Sequence, residues 1–225
     1  MPTDFEGFPK DFFAFFRELK ANNNRAWFED NKQRFKDSVQ APMSAFITAM
    51  APRLTKVSKN FVADPRPNGG SMFRIYRDVR FSRDKSPYKT HMGLHFRHAG
   101  SRDDVHGAGL YLHLEPGQSF LAGGCWQPDP RSLARFRDAI AWKPAEWKKA
   151  TRGLELGGDT LIRPPKGYPA DHPMIEDLKR KDFIASVRLS DAQVCGPKFM
   201  NEFLAGARKI SPLLRFLCTA QRLQY

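Results

Sequence analysis

Met72-Phe-Arg-Ile-Tyr-Arg-Asp-Val-Arg-Phe-Ser-Arg-Asp-Lys-Ser-Pro-Tyr-Lys-Thr-His91 is the stretch on which the reading of the fold turns. Upstream of it apolar residues recur with helical spacing; inside it they alternate. Phe73, Ile75, Val79 and Phe81 share one parity, and Arg74, Tyr76, Asp78 and Arg80 share the other. That is the pattern of a strand with one buried face. Arg77 breaks it by falling among the apolar positions. A guanidinium cannot shed its proton, so a buried Arg77 needs a carboxylate, carbonyl groups or an anionic ligand beside it. The segment therefore marks a place where something anionic is held, whether by the protein or for a ligand.

The alternation continues downstream. Met92, Leu94 and Phe96 form one face of a second strand, with His91, His95 and Arg97 opposite. Residues 97–106 are polar and read as a hairpin tip. Leu110, Leu112 and Leu114 then alternate with Tyr111, His113 and Glu115; Pro116-Gly117-Gln118 is a turn, and residues 119–122 read as a returning strand. Four strands with short links predict an antiparallel meander over about residues 72–125.

Helical signals flank it. Phe8, Phe12, Phe15, Phe16 and Leu19 make one stripe, ended by Asn22-Asn23-Asn24, one of which can cap a helix carrying Trp27, Phe28, Phe35 and Val39. Pro42 is placed to start a third helix, and Pro52 to kink or restart it. Beyond the sheet, Asp129-Pro130 opens a helix, Asp171-His172-Pro173 resembles another cap, and a last helix spans about residues 198–209 with a tail starting at Pro212. Helices, then sheet, then helices predict an α+β fold, and 225 residues fit a single domain spanning the chain.

The chain carries a formal net charge of +13, unevenly spread. Residues 72–100 hold seven basic and two acidic groups, whereas residues 101–128 hold one basic and three acidic. Such an excess favours a phosphate-bearing ligand or nucleic acid as partner without naming one. No apolar run approaches the ~20 residues needed to span a bilayer, so no membrane partner is expected. The N-terminus lacks the pattern of a signal peptide. Cys125, Cys195 and Cys218 are odd in number and widely spaced, which reads as reduced thiols in a cytoplasmic protein.

The anion reading places Arg74 and Arg80 as phosphate clamps, with Lys85, Lys89 and His91 at the rim, and Arg77 joining them if a bulge reverses its parity. Tyr76 is the candidate to stack a base. A second reading is a hydrolase or phosphotransfer enzyme in which Asp78, His91, His113 or Glu115 transfers protons. A third is an interaction module whose arginine cluster only locks the fold. No metal site is expected: His91 and His95 lie roughly 13 Å apart along a strand, and chelation would need cross-strand partners, such as His95 with His113 or Glu115. Nucleophile elbow, Walker loop, dinucleotide fingerprint and zinc motif are all missing, and nothing names a cofactor.

Residues 73–91 also resemble the central signature of the family named domain of unknown function 2461. The similarity takes in Asn23-Asn24-Arg25-Ala26-Trp27-Phe28, the region from Tyr111 to Trp126 with its Gly-Gly, and Leu133, Arg137 and Ile140. Lys166-Gly167-Tyr168 and Asp171-His172-Pro173 complete it. The resemblance covers nearly the whole chain and implies one domain in a soluble intracellular protein. It implies no activity.

Overall fold

Five strands, β1 (Met92–Arg97), β2 (Gly109–Leu114), β3 (Phe120–Cys125), β4 (Leu156–Gly157) and β5 (Phe183–Arg188), pair antiparallel in the order β1-β2-β3-β5-β4. They belong to a computed structural model of the chain that describes residues 5–101 and 107–225. The expected hairpin tip falls largely in residues 102–106, outside the described residues. Helices α1 (Lys10–Ala21), α2 (Arg25–Asp30), α3 (Lys32–Phe35) and α4 (Ala41–Leu54) precede the sheet. The crossover from β3 to β5 carries α5 (Pro130–Trp142), α6 (Pro144–Ala150) and α7 (Ile175–Leu178), and α8 (Asp191–Val194) and α9 (Phe199–Ala220) follow. The fold is α+β, as the order of patterns predicts.

One face of the sheet is apolar and covered. Leu94, Phe96, Leu110, Leu112, Leu114 and Leu121 are at most 1% exposed, and α9 lies across β3 with Phe203, Ala207, Ile210 and Leu214 buried. Phe46 of α4 joins this layer, its ring 5.4 Å from those of both Phe199 and Phe203, and Phe8 packs on Phe12, Phe46 and Phe199. Each buried side chain of this kind contributes about 1.5–3 kcal/mol.

Two local expectations are overturned, and a third is met in an unexpected way. The segment opening at Met72 is not a strand of the sheet: it is an arm tied down by isolated bridges, Met72 to Leu94 and Tyr76 to Tyr88. Ile75 is buried, but Phe81 is 95% exposed, because the arm leaves the sheet after its first residues. Pro42 does sit in the first turn of α4, where its position predicts a helix start, but no break precedes it. The chain stays helical from Lys32 through a π turn at Lys36–Gln40 into α4, and the wider turn sits where Pro42 has no N–H to offer. Pro212 does not separate a tail from the last helix; α9 runs through it. A proline inside a helix costs roughly 3 kcal/mol, and the burial of Leu213, Leu214 and Leu217 just beyond it outweighs that cost.

The caps follow side-chain chemistry. Asn24 accepts from the Trp27 N–H and Asp129 from those of Arg131 and Ser132. At α7 the expected cap Asp171 is exposed, and His172 Nδ1 instead accepts from the Met174 N–H at 3.0 Å.

Candidate functional site

The second face of the sheet floors a cavity of about 820 Å³. Period-two geometry and the antiparallel register decide what it holds. His95 pairs with Tyr111, which pairs with Ala122, which pairs with Ser186; Gly93 pairs with His113, which pairs with Phe120. His91 precedes β1 with the same parity, so it stands beside His113 and across from Glu115. Glycines make room for the larger groups. A Cβ on Gly93 would stand 2.6 Å from the Tyr111 hydroxyl, and one on Gly109 would stand 2.5 Å from His95 Nε2. Tyr111 and His95 therefore lie down over bare backbone.

Three side chains form a hydrogen-bonded chain. His113 Nε2 lies 3.1 Å from Glu115 Oε2, and His113 Nδ1 lies 3.2 Å from the Tyr111 hydroxyl. A neutral imidazole with its Nε2–H donated to Glu115 has its lone pair on Nδ1, so the Tyr111 O–H donates there. Glu115 Oε1 also meets the Thr90 hydroxyl at 3.5 Å. The His113 ring is held between Phe120, stacked at 4.8 Å and 11°, and His91 at 4.3 Å. Burial, with the Glu115 charge behind it, pushes the Tyr111 phenol up to about 12. Burial pulls His91 down to about 4, helped by His113 and Lys89 and opposed by Glu115. It pulls His95 down to about 3, with Arg97 adding to it. At neutral pH the phenol keeps its proton, and both of these imidazoles are uncharged.

The predicted arginine clamps are elsewhere. The carboxylate that Arg77 requires belongs to the protein: Asp84 Oδ2 sits 2.5 Å from Arg77 Nη1. Arg80 and Asp78 pair at 2.6 Å on the surface, which holds Asp78 down to about 2. Lys85 donates to the Val79 carbonyl. None of Arg77, Asp78, Arg80 and Lys85 lines the cavity. Tyr76, 54% exposed, packs its ring against Tyr88 instead.

Lys89 and Arg74 remain. Lys89 lines the cavity, donates to the Arg74 carbonyl at 3.0 Å and lies over the Phe73 ring. Burial first, then the Arg74 charge, lowers its pKa. Among the described residues no carboxylate pairs with Lys89 or with Arg74. The arm that carries them is fixed from the helical side. Asn23 clamps the Tyr88 backbone with two hydrogen bonds of 2.9 and 3.1 Å, and Phe28 stacks on the Tyr88 ring at 4.1 Å.

The far wall was missed in the sequence. Ile184 and Ser186 of β5 complete the floor beside Trp126, Gly157 and Gly158. Asp182, 4% exposed, closes that end by accepting from the Gln127 and Asp159 N–H groups at 2.7 and 2.8 Å. The six-residue alternation Phe183-Ile-Ala-Ser-Val-Arg188 carries the signal for this strand, isolated by a long crossover from the rest of the sheet. A second groove of about 840 Å³, between α5, α6 and α9, holds surface charges of both signs and no hydrogen-bonded acid–base chain.

A family model described as "Conserved hypothetical protein (DUF2461)" matches residues 11–216, and the chain belongs to that family. No curated protein and no solved structure matches it. Among the described residues no helix is long and apolar enough to cross a membrane.

Proposed function

We propose that the open face of the sheet binds a small phosphate-bearing molecule and transfers a proton on it, as a hydrolase does. The observation that carries this reading is the Tyr111–His113–Glu115 chain opening onto a cavity shared with Lys89. A cavity of this size suits one small ligand rather than a length of nucleic acid. Lys89 is half-buried with no counter-charge among the described residues, and Arg74 adds a second cation beside it. A bound phosphate offsets both. His113 is the general base, acting through Tyr111: the hydroxyl passes its proton to Nδ1 while accepting one from an attacking water. Glu115 orients the ring and stabilises the imidazolium that forms. Cys125, Cys195 and Cys218 form no disulfide among the described residues, which agrees with a reducing cytoplasm as the place of action.

The test is a thermal-shift and calorimetric titration of the chelator-treated chain with nucleoside monophosphates and sugar phosphates, followed by a phosphate-release assay. A ligand at a hundredfold excess over its Kd stabilises the fold by about 2.7 kcal/mol. Lys89→Met is expected to weaken binding at least about tenfold, one charge-assisted contact being worth that much. Tyr111→Phe spares binding and lowers turnover, and Arg80→Ala changes neither. Equal affinity in the Lys89 variant, or no shift with any phosphate ester, defeats the proposal.

A further inference from the structure

We propose that His91, His113 and Glu115 together bind one divalent transition-metal ion of the zinc class on the cavity floor; this rests on the reading above for the site and revises one role in it, because an ion on Nε2 leaves Nδ1 protonated and His113 no longer free to act as the general base. The three residues each offer a ligand atom, and these atoms all lie within 4.8 Å of one another. Two imidazoles and a carboxylate are a ligand set that such ions accept with one position left open. Metal–ligand bonds of about 2.0–2.1 Å in a tetrahedron place ligand atoms roughly 3.3 Å apart. His113 Nε2 and Glu115 Oε2 stand at 3.1 Å. The His91 ligand atom lies within 4.8 Å of the other two, so binding requires that ring to turn about its side-chain bonds.

The surroundings fit the same role. His91 makes no hydrogen bond among the described residues, although its ring touches that of His113. Beyond that packing, its ring nitrogens stay available to a ligand beside a neighbouring imidazole and a carboxylate. Metal-bound histidines donate their second ring N–H to a nearby oxygen. The Tyr111 hydroxyl is that oxygen, 3.2 Å from His113 Nδ1. An ion on Nε2 reverses the existing hydrogen bond: Nδ1–H donates, Tyr111 accepts, and the phenol proton turns toward the cavity. Thr90 steadies the carboxylate from behind. Register explains the cluster, because β1 and β2 place His91 across from Glu115 and diagonal to His113.

The experiment titrates the chelator-stripped full chain with Co²⁺, reading the visible d–d bands, and then displaces it with Zn²⁺, with no organic ligand present. One ion per chain is expected, with a tetrahedral cobalt spectrum. His91→Gln and Glu115→Gln should each weaken binding at least about a hundredfold, and Tyr111→Phe by about 10–100-fold as an outer-shell loss. His91→Asn serves as a second variant, and circular dichroism checks that each is folded. An affinity and spectrum unchanged by the His91 variants, or no stoichiometric ion in the wild type, overturns the proposal. Phosphate-ester binding is measured on metal-free protein, so that reading and this one fail separately.

Discussion

His95 makes the fold acid-sensitive, and the size of the effect follows from where the ring lies. It is 9% exposed, opposite Tyr111, above the bare backbone of Gly109, and without a hydrogen-bond partner among the described residues. Burial and the Arg97 charge hold it down to about 3, against 6.5 for a free histidine. A unit or more above pH 6.5 the ring is neutral in folded and unfolded chains alike, and it contributes almost no pH dependence. Below 6.5 the unfolded chain takes up a proton that the folded chain refuses. Stability then falls by up to about 1.4 kcal/mol per pH unit until the folded ring titrates near pH 3. Two units of acidification, from pH 6.5 to 4.5, remove about 2.3 kcal/mol through this residue alone, order-of-magnitude. Guanidinium unfolding at about pH 7 and pH 4.5, on the wild type and on His95→Gln, isolates it. His91 and the paired carboxylates shift in both proteins and cancel in the double difference. The wild type should lose 2–3 kcal/mol more than the variant, order-of-magnitude. Equal losses would mean that the ring meets water or a counter-charge, and the buried-face argument fails with it.

Two glycines give further tests. Gly93→Ala puts a methyl 2.6 Å from the Tyr111 hydroxyl, the free end of a side chain that can move. The thermal midpoint should change little, while the displaced hydroxyl breaks its contact with His113 and turnover falls at least about tenfold; a fully active variant argues against Tyr111 in the proton path. Gly124→Ala is the opposite case, because φ is +140° and the new Cβ would stand 1.9 Å from the Phe183 carbonyl oxygen. Backbone cannot yield as a side chain can, so β3 and β5 should separate, with a loss above about 3 kcal/mol in chemical unfolding.

Legibility in the sequence tracked how far each feature depends on local periodicity. Leu110, Leu112 and Leu114 alternate cleanly because one face of β2 is dry, and the residues between them, Tyr111, His113 and Glu115, were placed together on the other face by parity alone. The same rule misread residues 73–81. Ile75 and Phe81 have the same parity, yet one is buried and the other 95% exposed, because tertiary bridges and not an unbroken ladder hold the arm. The sequence shows that Arg77 requires an anion, but only three-dimensional placement shows Asp84 answering it seven residues away. The contact of His91 with His113, rather than His95 with His113, depends on register, which a hairpin of uncertain length does not disclose.

The division of labour between the two sheet faces explains why the cavity keeps groups that a stability argument would remove. The α9 side carries the leucines and phenylalanines that hold the fold, whereas the open side spends side-chain volume on glycine at Gly93, Gly109 and Gly124. A buried imidazole without a partner costs roughly 1–3 kcal/mol relative to a satisfied one; among the described residues His95 has no such partner, and Lys89 and Arg74 sit close together without a carboxylate. Leucine and glutamate at such places would relieve the strain locally. Paired surface arginines such as Arg80 cost little and contribute little, so their abundance says nothing about function. Polar groups gathered around one cavity, His95 and Lys89 among them, are a better guide, because a bound polar molecule is one way to offset the cost of burying them.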